Sequence, residues 1–310
     1  MLFSLAVGMG LLLLAWSADK FVLSASALAR HWGVSPLVIG LTIVAFGTSA
    51  PELLVSAMAA WQGNMGLAVG NAIGSNIANI GLVLGLSVLV WPIKVHKTTL
   101  RRELPLLLLV SFGVYVLFID GQLQRGDGLL LWSTLGVSLW WRMRQKSTVP
   151  VEQKADADYG LLWFFSSLGL LLLASKLLLW GAVGLAQQWA ISDEVIGLTL
   201  VAVGTSLPEL ATSMVAARQR QHGIALGNVL GSNFFNLLAV LGTAAIFRPA
   251  PLSQNLVVLD YPLMLAFTVL LFALACFGRL QRWHGVLLLL AFFAYLGWLF
   301  MPHSTILSLR

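Results

Sequence analysis

Charge is what this chain has least of. Only 10% of its residues are charged and 59% are hydrophobic, where a soluble domain carries about 25% charged residues. Water could not solvate such a surface, so a soluble enzyme or regulator is excluded and an integral membrane protein is left; the mean hydropathy of +0.90 agrees. Cysteine is almost absent. Cys276 stands alone, which rules out an internal disulfide, and in its apolar run it reads as a small buried residue. No basic leader precedes the first apolar run at residue 2, so that run is expected to persist as a helix and not to be removed as a signal peptide. His31, His96, His222, His284 and His303 fall at expected span ends or loops and share no ligand spacing.

What is present is length in apolar segments. A span needs about 20 apolar residues, and the chain supplies ten, over 2–30, 36–60, 66–91, 103–119, 128–142, 160–188, 193–217, 223–247, 260–277 and 284–300. The stretch 143–159 is polar and reads as a linker between two halves, 1–142 and 160–310, too short to hold a folded domain. Trp61, Trp91 and Trp189, among twelve tryptophans, suit the membrane interface.

With the amino terminus outside, one set of loops holds thirteen basic residues: Arg30, Lys94, Lys97, Arg101, Arg102, Arg142, Arg144, Lys146, Lys154, Arg218, Arg220, Arg279 and Arg282. The opposite set holds three, Arg125, Arg248 and Arg310. Basic residues favour the cytoplasmic side, so both termini are expected outside and the linker inside. The net charge of +6 is then a topology signal and not a nucleic-acid surface, because the bases lie in short loops beside spans.

The chain also repeats itself. Residues 40–56, GLTIVAFGTSAPELLVS, match 197–213, GLTLVAVGTSLPELATS, at twelve of seventeen positions. The same offset of 157 carries Gly70-Asn71 to Gly227-Asn228, Gly74-Ser75-Asn76 to Gly231-Ser232-Asn233, Asn79 to Asn236 and Pro92 to Pro249. Five helices per repeat is an odd number, so the second copy enters the membrane from the opposite side. The expected fold is an all-α membrane protein of ten transmembrane helices in two inverted-topology repeats, a plan that places binding sites near the midplane.

Pro51 and Glu52 sit where an apolar helix should be least tolerant of them. Pro51 cannot donate to the carbonyl of Gly47 and crowds it, so the helix should kink and free carbonyls around Ala45–Gly47. Such backbone is tolerated at membrane depth only when buried in protein or lining a polar cavity. Thr48 and Ser49 add hydroxyls, and Glu52 adds a carboxylate one turn away; Ala202, Thr205, Ser206 and Glu209 repeat the set. The segments GNAIGSNIAN and GNVLGSNFFN add Ser75, Asn79, Ser232 and Asn236. Oxygens without thiol or imidazole are ligands for hard cations such as Ca²⁺ or Na⁺. A proline alone reads as a kink and GxxxG as packing. A carboxylate at the membrane centre costs roughly 2.5–3.5 kcal/mol on insertion scales and points to function. Asp19, Lys20 and the repeat-related Lys176 lie midway along long helices, where snorkelling or local pairing competes with a transport role.

GTSAPE with GNAIGSNIAN, repeated as GTSLPE with GNVLGSNFFN, resembles the two alpha-repeats of the calcium/cation antiporter superfamily, and within it the bacterial inner-membrane sodium/calcium exchanger-like branch. The resemblance covers the whole chain. It implies four ion pockets between the second, third, seventh and eighth helices, with Ala45, Thr48, Ser49, Glu52, Ser75, Asn79, Ala202, Thr205, Ser206, Glu209, Ser232 and Asn236 as ligands. It also implies that the first and sixth helices slide to switch access, in a bacterial inner membrane. Some members carry Asp where this chain has Asn236. Three readings compete: exchange of Ca²⁺ for Na⁺, exchange for H⁺ through paired carboxylates that take up protons, and a passive channel, which a ligand-rich centre disfavours. No acid–base–nucleophile constellation supports an enzyme. No cofactor and no obligate protein partner is expected beyond the cations and the bilayer. In a Cys276→Ala background, a cysteine placed in the linker should be labelled only from the cytoplasm and one after Pro302 only from outside. Labelling of both from one side would contradict the inverted repeat.

Overall fold

The structure is a computed structural model that describes residues 2–144, 160–189 and 202–299. Most of the linker, the expected start of the seventh helix and the residues after 299 lie outside the described residues. Among the described residues there are twelve helices. They are α1 (Leu2–His31), α2 (Pro36–Thr48), α3 (Ala50–Trp61), α4 (Met65–Val90), α5 (99–118), α6 (Arg125–Met143), α7 (Leu161–Gln188), α8 (Ala202–Thr205), α9 (Leu207–Arg218), α10 (His222–Phe247), α11 (Leu256–Ala275) and α12 (Arg282–Leu299). Six of them are long and apolar enough to cross a membrane alone, and the bent pair α2/α3 adds a seventh. Leu12 (73% exposed) and Leu162 (82%) point outward while Glu52 and Glu209 are buried, a distribution suited to hydrocarbon and not to water.

Proline sets the break in each repeat. Pro51 and Pro208 stand in the first turn of α3 and α9, where a missing N–H does no harm. The residue at each break is a serine of nearly the same shape, Ser49 (φ −83°, ψ 7°) and Ser206 (φ −90°, ψ 9°). The bend between α2 and α3 is 48°. The helices α4 and α10 each widen into a π-helical turn, over Asn79–Leu84 and Asn236–Val240. These turns open on repeat-equivalent asparagines, and π turns often mark functional positions.

Two small sheets confirm the inverted relation. β1 (Ile93–Lys94) pairs with β4 (Arg279–Leu280), and β2 (Gln122–Leu123) pairs with β3 (Ala250–Pro251), both antiparallel. The offset of 157 turns β1 into β3 and β2 into β4, so a two-fold operation maps one sheet onto the other. Each sheet joins loops that ten alternating spans place on the same side.

The second repeat packs tightly on the first through glycine. A Cβ at Gly231 would fall 2.6 Å from Ala45 Cβ and 2.7 Å from the Leu41 carbonyl oxygen. This close approach of α10 to α2 sets Thr48 against Asn228. A Cβ at Gly47 would meet Leu168 and one at Gly204 would meet Leu179, so α7 reaches the GTS glycine of both repeats.

Two expectations change, those for Cys276 and Arg142, and for Asp19 pairing is one of the two readings. Cys276 is exposed, because it follows the last buried residue of α11, Ala275, on the outward side of the final turn. Arg142, counted among the cytoplasmic bases, is 1% exposed; its Nε donates to Glu103 at 3.0 Å and its guanidinium lies 4.2 Å over the Phe234 ring. Asp19 makes a local pairing, accepting from Gln219 Nε2 at 2.7 Å beside Lys20 at 3.8 Å, while Lys176 is exposed.

Gly231→Ala should lower the melting temperature of the detergent-solubilised protein, since overpacking against backbone costs about 1–3 kcal/mol. Gly136→Ala, where a Cβ meets nothing within 4 Å, should leave it unchanged. Equal melting curves for the two variants would contradict the packing described.

Candidate ion-binding site

The two glutamates are at most 1% exposed, and each is served by the other repeat. Ser49 Oγ donates to Glu209 Oε1 at 2.9 Å, and Ser206 Oγ donates to Glu52 Oε1 at 3.2 Å. The threonines follow the same crossing in position, Thr48 lying beside Glu209 and Thr205 beside Glu52. Ser232 Oγ reaches Glu209 Oε1 at 3.5 Å. Helices that run antiparallel with matching breaks bring a GTS hydroxyl pair of one repeat to the carboxylate of the other.

The second carboxylate oxygens, Glu52 Oε2 and Glu209 Oε2, are buried with no hydrogen-bond partner among the described residues. Neither glutamate pairs with Lys, Arg or His there; the ion pairs present are Asp19–Lys20 and Glu103–Arg142. A buried charge without a partner costs several kcal/mol. Two such carboxylates therefore need positive charge from outside the chain, as a bound cation or as a proton. No cluster of three or more His, Cys, Asp or Glu occurs among the described residues. Most oxygens available are neutral hydroxyls, amides and carbonyls, which favours weakly held hard cations over tightly held transition metals.

The structure brings most of the expected ligands into one buried region. Thr48 (0% exposed), Ser49 (3%), Ser206 (1%) and Thr205 (8%) lie at the breaks, with Ser75 (4%), Asn79 (1%), Ser232 (0%) and Asn236 (0%) on α4 and α10. Asn79 Oδ1 and both amide atoms of Asn236 have no partner among the described residues. Ala202 opens α8, and it stands before Ser206 as Ala45 stands before Ser49. The carbonyl of Ala45 departs from expectation. It accepts from Ser49 N at 2.9 Å and lies 3.3 Å from Thr48 Oγ1, so the break does not leave it open. Thr48 must turn its hydroxyl away for that carbonyl to offer its second lone pair.

Two residues outside the expected set hold the site in shape. Asn228 Nδ2 donates to the Glu209 carbonyl (3.2 Å) and to Ser213 Oγ (2.9 Å), and its Oδ1 accepts from Thr48 (3.1 Å). Asn71 Nδ2 repeats the pattern on the Glu52 carbonyl (3.1 Å) and Ser56 Oγ (2.9 Å). The repeat offset through Gly70-Asn71, Glu52 and Ser56 was the available signal, but a GN pair among small residues reads as helix packing.

Comparison with known proteins agrees with this geometry. Residues 3–144 and 159–301 match the family described as sodium/calcium exchanger protein. The chain is 42% identical to the inner membrane protein YrbG of Escherichia coli K12, over 94% of each chain. It is 32% identical to the sodium/calcium exchanger MaX1 of Methanosarcina acetivorans, over 94% of this chain and 97% of that one. The solved structure of the sodium-calcium exchanger NCX_Mj soaked with 2.5 mM Na⁺ and 0.1 mM Ca²⁺ superposes with a TM-score of 0.86 at 36% identity, covering 96% of this chain and 98% of that one.

Asn228→Ala removes partners from a buried carbonyl and two hydroxyls, each worth about 1–3 kcal/mol when left unsatisfied. It should lower the melting temperature more than Asn64→Ala, which removes one exposed helix cap. A melting temperature above that of Asn64→Ala would show that Asn228 does not brace the break.

Proposed function

This chain belongs to the sodium/calcium exchanger family, a family of membrane antiporters and not of enzymes, and we propose that it exchanges Ca²⁺ for Na⁺ by alternating access. The observation that carries the reading is the pair of buried glutamates, each bonded by a serine hydroxyl of the opposite repeat and neither given a basic partner among the described residues. One Ca²⁺ cancels their formal charge, and so do two Na⁺. A divalent ion and a set of monovalent ions can then compete for one region without leaving uncompensated charge in low dielectric.

The ligands we assign are the side chains of Thr48, Ser49, Glu52, Ser75, Asn79, Thr205, Ser206, Glu209, Ser232 and Asn236, with the carbonyls of Ala45 and Ala202. The serine hydroxyls that now donate to carboxylate would rotate and, with the neighbouring threonines, present lone pairs to an ion. That exchange of hydrogen bonds for coordination helps offset the ion's lost hydration. Because each carboxylate is tied to the other repeat, an ion held between them closes the two halves together. The helices α1 and α7, packed along each other and against α9, are assigned the sliding that opens one side and then the other. Both termini are assigned to the outside of a bacterial inner membrane, from the distribution of basic loops.

Coupling to H⁺ is the second reading, because a proton also neutralises a buried carboxylate. Uptake of ⁴⁵Ca²⁺ into proteoliposomes under imposed Na⁺, K⁺ or H⁺ gradients separates the two. Wild type should respond to the Na⁺ gradient, whereas a response to H⁺ alone would replace Na⁺ as the coupling ion. Glu52→Gln and Glu209→Gln should each lower counterflow by at least about a hundredfold while inserting normally, since each leaves one charge too few for the dication. Wild-type counterflow in either variant would show that the site is elsewhere.

A further inference from the structure

One face of α3 serves the ion site and the other is bare. Glu52, Ser56, Ala59 and Ala60 are buried, whereas Leu54 is 60% exposed, Met58 60% and Trp61 75%. In the second repeat α1 packs against the equivalent helix, α9. Beside the open face of α3 lies a groove of about 260 Å³, lined by Leu54, Ala57, Met58, Trp61, Gln62 and Phe247. Leu54, Met58 and Trp61 follow helical spacing, so the groove runs along the axis of α3 for about 10 Å. A groove along the axis of a membrane helix has the direction of the surrounding acyl chains.

The chemistry changes at the end of this groove. Trp61 and Phe247 meet edge to face with ring centroids 5.9 Å apart, and Arg248 follows Phe247 directly. The guanidinium lies over the turn that ends α3, since a Cβ at Gly63 would fall 3.1 Å from Arg248 Cζ. Gly63 has φ +86°, so glycine suits the turn and also leaves the cation room. Arg248 is exposed and joins no ion pair among the described residues. The acids of the loop paired with this segment are engaged locally. Asp120 accepts from Gln122 N at 2.9 Å and Asp127 from Gln124 N at 2.8 Å. Arg248 also belongs to the loop set with three basic residues against thirteen, so the topology signal does not account for it.

We propose that this groove is a binding site for one anionic phospholipid, with an acyl chain along Leu54, Met58 and Trp61 and the phosphate on Arg248. Guanidinium offers a planar fork of N–H donors that matches phosphate oxygens. The Gln62 amide, at the same end, supplies a further donor to the headgroup. An anionic lipid keeps the net negative charge that an unpaired arginine favours, whereas the amine of a zwitterionic lipid cancels it. The tryptophan then stands at the level where chain gives way to headgroup, as interfacial tryptophans do. Because α3 belongs to the first repeat and Phe247 and Arg248 to the second, the lipid would clasp the two repeats from outside. The site is independent of the ion ligands assigned above.

Native mass spectrometry of the purified full chain without Ca²⁺ tests this, with phosphatidylglycerol and phosphatidylcholine of the same acyl chains as probes. Wild type should retain one phosphatidylglycerol in preference to phosphatidylcholine. Arg248→Gln should lower the phosphatidylglycerol affinity by about tenfold, as loss of a hydrogen bond between charged groups does. Arg125→Gln, which removes a basic residue of the same loop set, should leave it within about twofold, the small effect of a distant exposed charge. Ala57→Trp fills the groove and should release the lipid while Arg248 stays in place. Equal retention of the two lipids by wild type would overturn the proposal, because the groove would then hold bulk lipid only. So would equal losses in Arg248→Gln and Arg125→Gln, which general charge attraction explains, or unchanged retention in Ala57→Trp. A dimer that Ala57→Trp dissociates would give the groove to a second copy of the chain and also overturn it. Should Ala57→Trp fail to fold, Leu54→Trp fills the groove from its other end and is read in the same way.

Discussion

Two carboxylates buried in the membrane without a basic partner are the constraint on which the rest of this structure depends. No fixed cation meets their charge among the described residues, and in the proposed cycle it is met by ions that come and go. Had an arginine lain beside Glu52, as Arg142 lies beside Glu103, the charge would be settled and the site would have no use for an ion. The contrast within one chain separates an acid that braces the fold from acids left available. What makes the open arrangement tolerable is the crossed set of hydroxyls. Ser49 and Ser206 give each carboxylate a hydrogen bond, which lowers the cost of burial without supplying charge.

The crossing in turn is built on the inverted repeat. Here the GTS break of each repeat reaches the glutamate of its inverted copy. The proline places the break, the serine takes the non-helical backbone, and asparagines 71 and 228 hold the following carbonyls. Glycines on α10 let α2 approach closely enough for Thr48 to touch Asn228 across the repeats. Each of these residues has a local reason, and the reasons agree in the antiparallel arrangement.

Much of this was legible in the sequence for one physical reason: an exact offset repeated polar residues that a membrane otherwise penalises. Glu52 and Glu209 stood out because a buried charge is costly, and their recurrence in one motif left packing a poor explanation. Asn71, Asn228, Asn76 and Asn233 obeyed the same offset but were hidden, since asparagine among glycines and alanines resembles a packing seam. The π turns at Asn79 and Asn236 leave no mark in composition; they arise from how α4 and α10 pack. Cys276 and Arg142 failed in opposite directions. An apolar neighbourhood does not say whether a residue faces lipid or protein, and a basic residue at a helix end does not say whether an acid from a neighbouring helix will bury it.

An inverted repeat makes two access states possible, because exchanging the conformations of the halves turns one state into the other. In the proposed cycle the contacts that break the two-fold relation are therefore the informative ones. Ser175 Oγ of α7 donates to the Gly204 carbonyl at 3.3 Å, and the repeat-equivalent of Ser175 is Ala18, which has no hydroxyl. Asp19 accepts from Gln219, whereas the equivalent pair would be Lys176 and Gln62. The Asn79–Asn233 bond is made and its counterpart is not. The first two differences are written into the sequence and cannot be undone by motion, so the two states are unequal in energy. The third is conformational and can be exchanged. A hydrogen bond nets about 0.5–1.5 kcal/mol, so a bias of one or two such bonds leaves the less favoured state populated at about half a per cent or more. Ion binding at the glutamates can then act on both states, which exchange in either direction requires.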